Sequence, residues 1–235
     1  MTSRAPVVCF GDSTTEGTGT TRGYPDVLAH RLGAAVRNAG IAGNRLLRDG
    51  FGESGPGRFA RDVLDVPDVT HVIVELGVND LGLSTPRPTA DELVAGLTTP
   101  ARAARAAGVV PLCATPPPSG DTVHQGFHSP EGERTRQAIN AWIRTTPEFA
   151  AVVDVDERLR DPARPVRYRA DLDSGDHLHP NDAGAEAIAA SVDLDVLRGP
   201  IDPKLPPWPG TSTFIRTTPR RGRSARPSTS SGTTA

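Results

Sequence analysis

A serine hydroxyl, an imidazole and a carboxylate can together make a nucleophile, and this chain of 235 residues carries all three in suggestive surroundings. Ser13 closes the segment Val7-Val8-Cys9-Phe10-Gly11-Asp12-Ser13, an apolar run that breaks into a Gly-Asp-Ser turn. A hydroxyl is a weak nucleophile and needs a base beside it. Histidine serves when a carboxylate fixes its tautomer and stabilises the imidazolium. Far along the chain, Asp173-Ser174-Gly175-Asp176-His177-Leu178-His179-Pro180 supplies both groups. Asp176 and His179 are three apart, so one turn of chain can bring carboxylate to ring. Asp173 and His177, four apart, offer a competing pair, and spacing alone leaves the choice open. The negative oxygen formed when a hydroxyl adds to a carbonyl needs preorganised donors. The candidates are the backbone N–H groups of Ser13 and Gly43 and the side-chain amide of Asn79. The last two lie in Asn38-Ala39-Gly40-Ile41-Ala42-Gly43-Asn44 and Gly77-Val78-Asn79-Asp80.

These segments matter only if the fold gathers them. Val7–Phe10, Ala35–Asn38, His71–Leu76, Val109–Ala114 and Ala151–Val155 read as five short strands, the first of them a buried parallel one. Helical patterns lie between them at Tyr24–Leu32, Phe59–Leu64, Thr89–Ala107 and Glu131–Thr145, with a last one at Asp182–Ser191. Thr89 with Glu92 makes a capping-box signature and Gly108 a stop, while Pro100 is expected to kink or interrupt that helix. Asn181 or Asp182 is the expected cap of the last helix. Strands alternating with helices predict an α/β fold with a parallel sheet covered on both faces. In such sheets ligands bind at the carboxyl ends of the strands, near the reversal in strand order. All four polar segments fall at that edge or beside it.

Composition narrows the alternatives. No run of about 18 apolar residues exists, so no membrane span is expected. The net charge of −2 argues against an electrostatic nucleic-acid binder. The short apolar run at the start reads as too short for a signal peptide, and Cys9 and Cys113 both sit in apolar runs and read as inert core thiols, so a cytoplasmic, reducing setting is expected. Residues 199–235 hold five Arg and Lys204 against Asp202 alone, with seven Pro and twelve Ser or Thr. Such a segment cannot bury enough surface to offset ordering it, and it reads as a disordered basic tail beyond a domain of residues 1–198. His124 and His128 fall in the Pro- and Gly-rich stretch 116–132, which could overhang these segments but is read as a solvated loop. A phosphate- or flavin-binding module of the flavodoxin kind would also place a Ser/Thr/Gly-rich loop, Ser13–Thr18, after the first strand. Against it, Glu16 puts a negative charge there, aromatics are only 4%, and Asp176, His179 and Asn79 would have no role. A metal would need ligands that these segments use otherwise, so no metal and no cofactor are expected.

The four segments, in this order, resemble the blocks of the SGNH hydrolases, the GDSL esterase/lipase family. Gly11-Asp12-Ser13-Thr14 is similar to its nucleophile block, with Thr14 in place of the commoner Leu or Ile. Asn38–Asn44 is similar to its second block and Gly77-Val78-Asn79-Asp80 to its Gly-x-Asn-Asp block. Asp176-His177-Leu178-His179, followed by Pro180, is similar to its Asp-x-x-His block. The resemblance spans residues 6 to about 195. It implies a three-layer α/β/α sandwich with a five-stranded parallel sheet, the flavodoxin-like fold of that family. It also implies a catalytic set of Ser13, Asp176 and His179 and an oxyanion hole of Ser13, Gly43 and Asn79. The implied activity is hydrolysis of carboxylic esters of small molecules or carbohydrates; the Gly-rich segments themselves, with no long apolar helix or aromatic cluster beside them, point to short-chain acyl or acetyl groups. Carbohydrate deacetylation and thioester hydrolysis are the alternatives within the same machinery.

Overall fold

The computed structural model describes residues 7–199. From the start, β1 (Val7–Gly11), α1 (Ser13–Glu16), α2 (Tyr24–Leu32), β2 (Val36–Gly40) and α3 (Gly55–Phe59) follow one another. The chain leaves α3 through a π-helical turn over Ala60–Leu64 and enters β3 (His71–Glu75), α4 (Val78–Leu83), α5 (Ala90–Ala106) and β4 (Val110–Ala114). Then come α6 (Pro130–Thr145), β5 (Ala151–Val153) and α7 (Val155–Leu159). A small hairpin, β6 (Arg160–Asp161) with β7 (Arg164–Tyr168), precedes α8 (Asp182–Ser191) and α9 (Leu194–Arg198).

Strands β1 to β5 form one parallel sheet in the order β2-β1-β3-β4-β5. Side chains alternate between faces along a strand, and both faces are covered. Val8, Phe10, Val72 and Val74 pack with Phe59, Leu93, Leu97, Ile139 and Ile143 of α3, α5 and α6. Cys9 and Glu75 point to the other face, toward Tyr24 and Thr15. There α2 packs on α8, and α8 on α7. The strand order reverses between β1 and β3, so the crevice at the carboxyl ends of the strands opens where β1 ends in Gly11 and β3 in Glu75.

The capping box of α5 is present, with Thr89 Oγ accepting from the Glu92 N–H and Glu92 accepting from the Thr89 N–H. The helix runs on through buried Pro100, which was expected to kink or interrupt it, without an interruption. Val155 begins α7 instead of ending β5, because the Asp154 side chain accepts the Glu157 N–H and starts a helix there. Helices α1, α4, α7 and α9, at most six residues each, and the β6–β7 hairpin were not anticipated. Among the described residues no helix is long and apolar enough to cross a membrane. Residues 1–6 and 200–235, which include nearly all of the expected tail, lie outside the described residues.

Candidate active site

Ser13 is the first residue of α1, immediately beyond the end of β1. The turn is fixed by Asp12, whose Oδ1 accepts the Thr14 N–H at 3.1 Å, and by left-handed Gly17, whose N–H bonds the Ser13 carbonyl. The backbone of α1 lies directly on β2, since a Cβ at Gly40 would stand 2.2 Å from the Glu16 nitrogen. Only glycine admits that approach. The strand-to-helix turn therefore aims the Ser13 hydroxyl into the crevice, while the residue stays buried.

His179 meets it there. The Nε2 of His179 stands 2.9 Å from Ser13 Oγ, and its Nδ1 stands 2.5 Å from Asp176 Oδ2. The other oxygen of Asp176 accepts the N–H groups of Leu178 and His179, each at 2.9 Å, and the Ser174 hydroxyl at 3.0 Å. Burial would push the Asp176 carboxyl up, but the His179 ring and the two backbone N–H groups outweigh it and hold the group well below the usual carboxylate range. The competing pair is separate. His177, at φ +60°, turns away and its Nδ1 pairs with Asp173. Asp173 also accepts the His177 N–H at 3.1 Å, and the His177 side chain is half-exposed. Asn181 caps α8 by accepting the Gly184 N–H, while Asp182 reaches back to Thr21, receiving its N–H and hydroxyl at 2.7 Å each.

The expected oxyanion donors converge on the same crevice. Gly43 has φ +73°, a conformation that costs little only for glycine, and a Cβ there would also strike the Phe51 ring at 2.8 Å. No acceptor among the described residues takes the N–H of Gly43. Asn79 is different. Its amide donates to Asp12 Oδ2 and to the Asn44 carbonyl, both at 3.0 Å, so both of its N–H groups are engaged.

Beneath these groups lies a buried polar network that sequence reading missed. The Asp12 and Glu75 carboxyls are buried neighbours, and two carboxyls so placed can share a proton. Thr15 donates to Glu75 at 3.0 Å and lies 3.2 Å from the Tyr24 hydroxyl. Desolvation pushes Asp12 up to about 7 and Glu75 well above its ordinary value. Thr14 and Thr15 are buried and Thr15 is bonded inward, so the segment Ser13–Thr18 is not an open phosphate cradle. Arg58 was missed too. Its fully buried guanidinium donates to the carbonyls of Gly11 (2.8 Å) and Ala39 (2.9 Å) and to Asn44 Oδ1 (3.0 Å), and it lies 3.9 Å from the centroid of the Phe10 ring. It ties the end of β1 to the loop that carries Gly43. Cys9 and Cys113 are buried free thiols; burial pushes Cys9 up to about 12 and Cys113 higher still.

His124, expected to be a solvated loop residue, comes to the site. Its Nε2 lies 3.3 Å from Asp176 Oδ2, and its ring meets that of His179 edge to face, with centroids 5.9 Å apart. Such a placement depends on how an irregular loop folds back, and no periodicity in the sequence signals it.

A model of the GDSL-like Lipase/Acylhydrolase family matches residues 9–187. No curated protein matches the chain. Among solved structures, the native aryl esterase of M. smegmatis aligns with a TM-score of 0.66 at 18% identity, covering 83% of this chain and 98% of that one. Est24, a carbohydrate acetylesterase from Sinorhizobium meliloti, aligns equally well (0.66) at 16% identity, again covering 83% and 98%. A GDSL-like lipase from Bacteroides thetaiotaomicron gives 0.66 at 20% identity, over 83% and 89%. At such identities the likeness is one of fold.

Proposed function

The chain belongs to the GDSL-like lipase/acylhydrolase family, hydrolases of ester bonds, and from that premise we propose that it is a serine esterase working through Ser13, His179 and Asp176 on short-chain acyl esters. The observation that carries this reading is the unbroken line of contacts from Asp176 through His179 to Ser13, 2.5 and 2.9 Å long. With its Nδ1 proton held by Asp176, His179 presents a lone pair at Nε2. Ser13 Oγ attacks the acyl carbon as its proton passes to Nε2, and Asp176 stabilises the imidazolium. The oxygen that becomes negative is held by the N–H groups of Ser13 and Gly43. Asn79 joins them by sharing or releasing one N–H now given to Asp12 or Asn44. The alcohol leaves with the proton from Nε2, and water repeats the sequence on the acyl-enzyme.

A small acyl group is favoured because the crevice is edged by Gly-rich turns, at Gly11, Gly43 and Gly77. The likeness to an aryl esterase and to a carbohydrate acetylesterase fits ester substrates with small acyl parts. The test is hydrolysis of nitrophenyl esters of increasing acyl length alongside acetylated sugars, by the wild-type protein and Ser13→Ala. Acetyl and butyryl esters should be cleaved faster than those of about ten carbons, and Ser13→Ala should be inactive on all. Undiminished turnover by Ser13→Ala would overturn the mechanism, and a preference for long chains would overturn the substrate class.

A further inference from the structure

We propose that His124, Asp176 and His179 form a divalent-cation site of the zinc type, and that filling it switches the esterase off. The inference rests on the catalytic reading above for its consequence, but its geometry is independent of it. Each of the three residues offers a ligand atom, and these atoms all lie within 4.8 Å of one another. Donors about 2.0–2.2 Å from zinc at tetrahedral angles stand roughly 3.3 Å apart. His124 Nε2 and Asp176 Oδ2 are already at 3.3 Å. His179 Nδ1 and Asp176 Oδ2, at 2.5 Å, would separate by about 0.8 Å once a cation replaced the proton between them. Two imidazoles and one carboxylate are a donor set that suits zinc and not magnesium. His124 is partly exposed, which leaves an entry path and a fourth position for water.

The loop that brings His124 is held in place at several points. At its root the Pro116 carbonyl accepts from Arg136 Nη1 at 2.9 Å and from Asn140 Nδ2 at 3.0 Å. Ser119 donates to the Phe127 carbonyl at 3.0 Å, and Arg87 donates to that of Gly126 at 2.8 Å. At its tip the Asp176 carbonyl accepts the Thr122 hydroxyl at 3.0 Å and the Val123 N–H at 3.2 Å. The third ligand is thus fastened to the residue that carries the second.

Occupancy silences the base through its tautomer. A neutral imidazole has one ring proton. When the cation takes the Nδ1 lone pair, that proton must sit on Nε2, and the nitrogen facing Ser13 becomes a donor. It can no longer accept the serine proton, and Asp176 is bound to the cation instead of to the ring. No bond is made or broken beyond coordination and the transfer of this proton, so a chelator should reverse the effect.

Zinc chloride titrated into the wild-type protein in a non-chelating buffer should abolish nitrophenyl acetate hydrolysis at micromolar concentrations, with recovery in EDTA and no effect of magnesium. In His124→Ala, compared with its own uninhibited rate, the half-inhibiting concentration should rise at least about tenfold. His177→Ala, which removes the neighbouring imidazole outside the cluster, should keep wild-type sensitivity. Calorimetry with zinc alone should report one site in the wild-type protein and a matching loss of affinity in His124→Ala. That readout tests the site even if the protein cleaves no ester. Equal zinc affinity in His124→Ala and the wild type, or no binding by the wild type, would overturn the proposal.

Discussion

Replacing Arg58 by leucine should cost the protein about 3–5 kcal/mol of stability, the usual range when one partner of a buried charge network is removed. The guanidinium is fully buried, so its bonds are not discounted by solvent. Not every partner is stranded. The Gly11 carbonyl keeps the Ile41 N–H at 3.2 Å, and Asp62 keeps Arg61 at 2.9 Å. Asn44 Oδ1 does lose its donor from Arg58, at about 1–3 kcal/mol for a buried acceptor left unpaired. The loss of the contact over Phe10 adds to this, partly offset by the apolar leucine. For a domain of this size each kcal/mol lowers Tm by about 2–4 °C, so the melting temperature should fall by roughly 6–20 °C. Differential scanning calorimetry measures it. Turnover at a temperature where the variant is still folded should fall as well, because Gly11 and Asn44 flank the residues proposed as nucleophile and oxyanion donor. Arg58→Lys should fall between, since an ammonium keeps the charge but cannot reach three acceptors in one plane. A loss below about 1 kcal/mol in the leucine variant would refute the view that this guanidinium ties β1 to the Gly43 loop.

Three further outcomes follow from the site. His179→Ala should lower turnover by at least about 1000-fold, and adding Ser13→Ala should lower it little further, as for groups acting as a unit; His177→Ala should keep most activity, and the reverse ranking of the two histidines would transfer the acid to Asp173. Asn79→Ala should lower kcat by about 100- to 1000-fold with little change in KM, and because it takes a donor from Asp12 Oδ2 and from the Asn44 carbonyl it should also lower Tm; a change in KM alone would make Asn79 a ground-state contact. Between about pH 5 and 8 Tm should decline as pH rises, since Asp12 is pushed up to about 7 and an acid raised in the folded state adds stability that is complete below its unfolded value near 4 and fades through its folded one. Glu75→Gln, which can still donate to Asp12 and accept from Thr15, should flatten that decline; an unchanged slope would show that the pair does not share a proton. Asp176 acts with the opposite sign, its contribution being lost as pH falls below about 4.

Most of the sheet was legible as short β-rich apolar runs closed by turns, whereas the edge strand β2, with Arg37 and Asn38 exposed, shows only a faint pattern; Gly11, Gly40 and Gly77 mark where strands stop. The long helices were legible from periodicity and from Thr89 and Glu92. Short elements were not, for α1 and α4 are single turns whose existence depends on the strand ends before them. Spacing could not choose between Asp176 with His179 and Asp173 with His177; the fold separates the two pairs by turning His177 through a left-handed backbone. Arg58, Glu75 and His124 carried no local signal, since a buried arginine, a buried glutamic acid and a loop histidine acquire their roles only from residues distant in sequence.

The most direct test of the central claim is covalent. A fluorophosphonate reacts with a serine whose hydroxyl is activated by a neighbouring base, and mass spectrometry of the digested protein locates the adduct. The account predicts one adduct, on Ser13, formed at close to the wild-type rate in His177→Ala and at a small fraction of it in His179→Ala. No adduct on the folded wild-type protein, or an adduct at another residue, would contradict it.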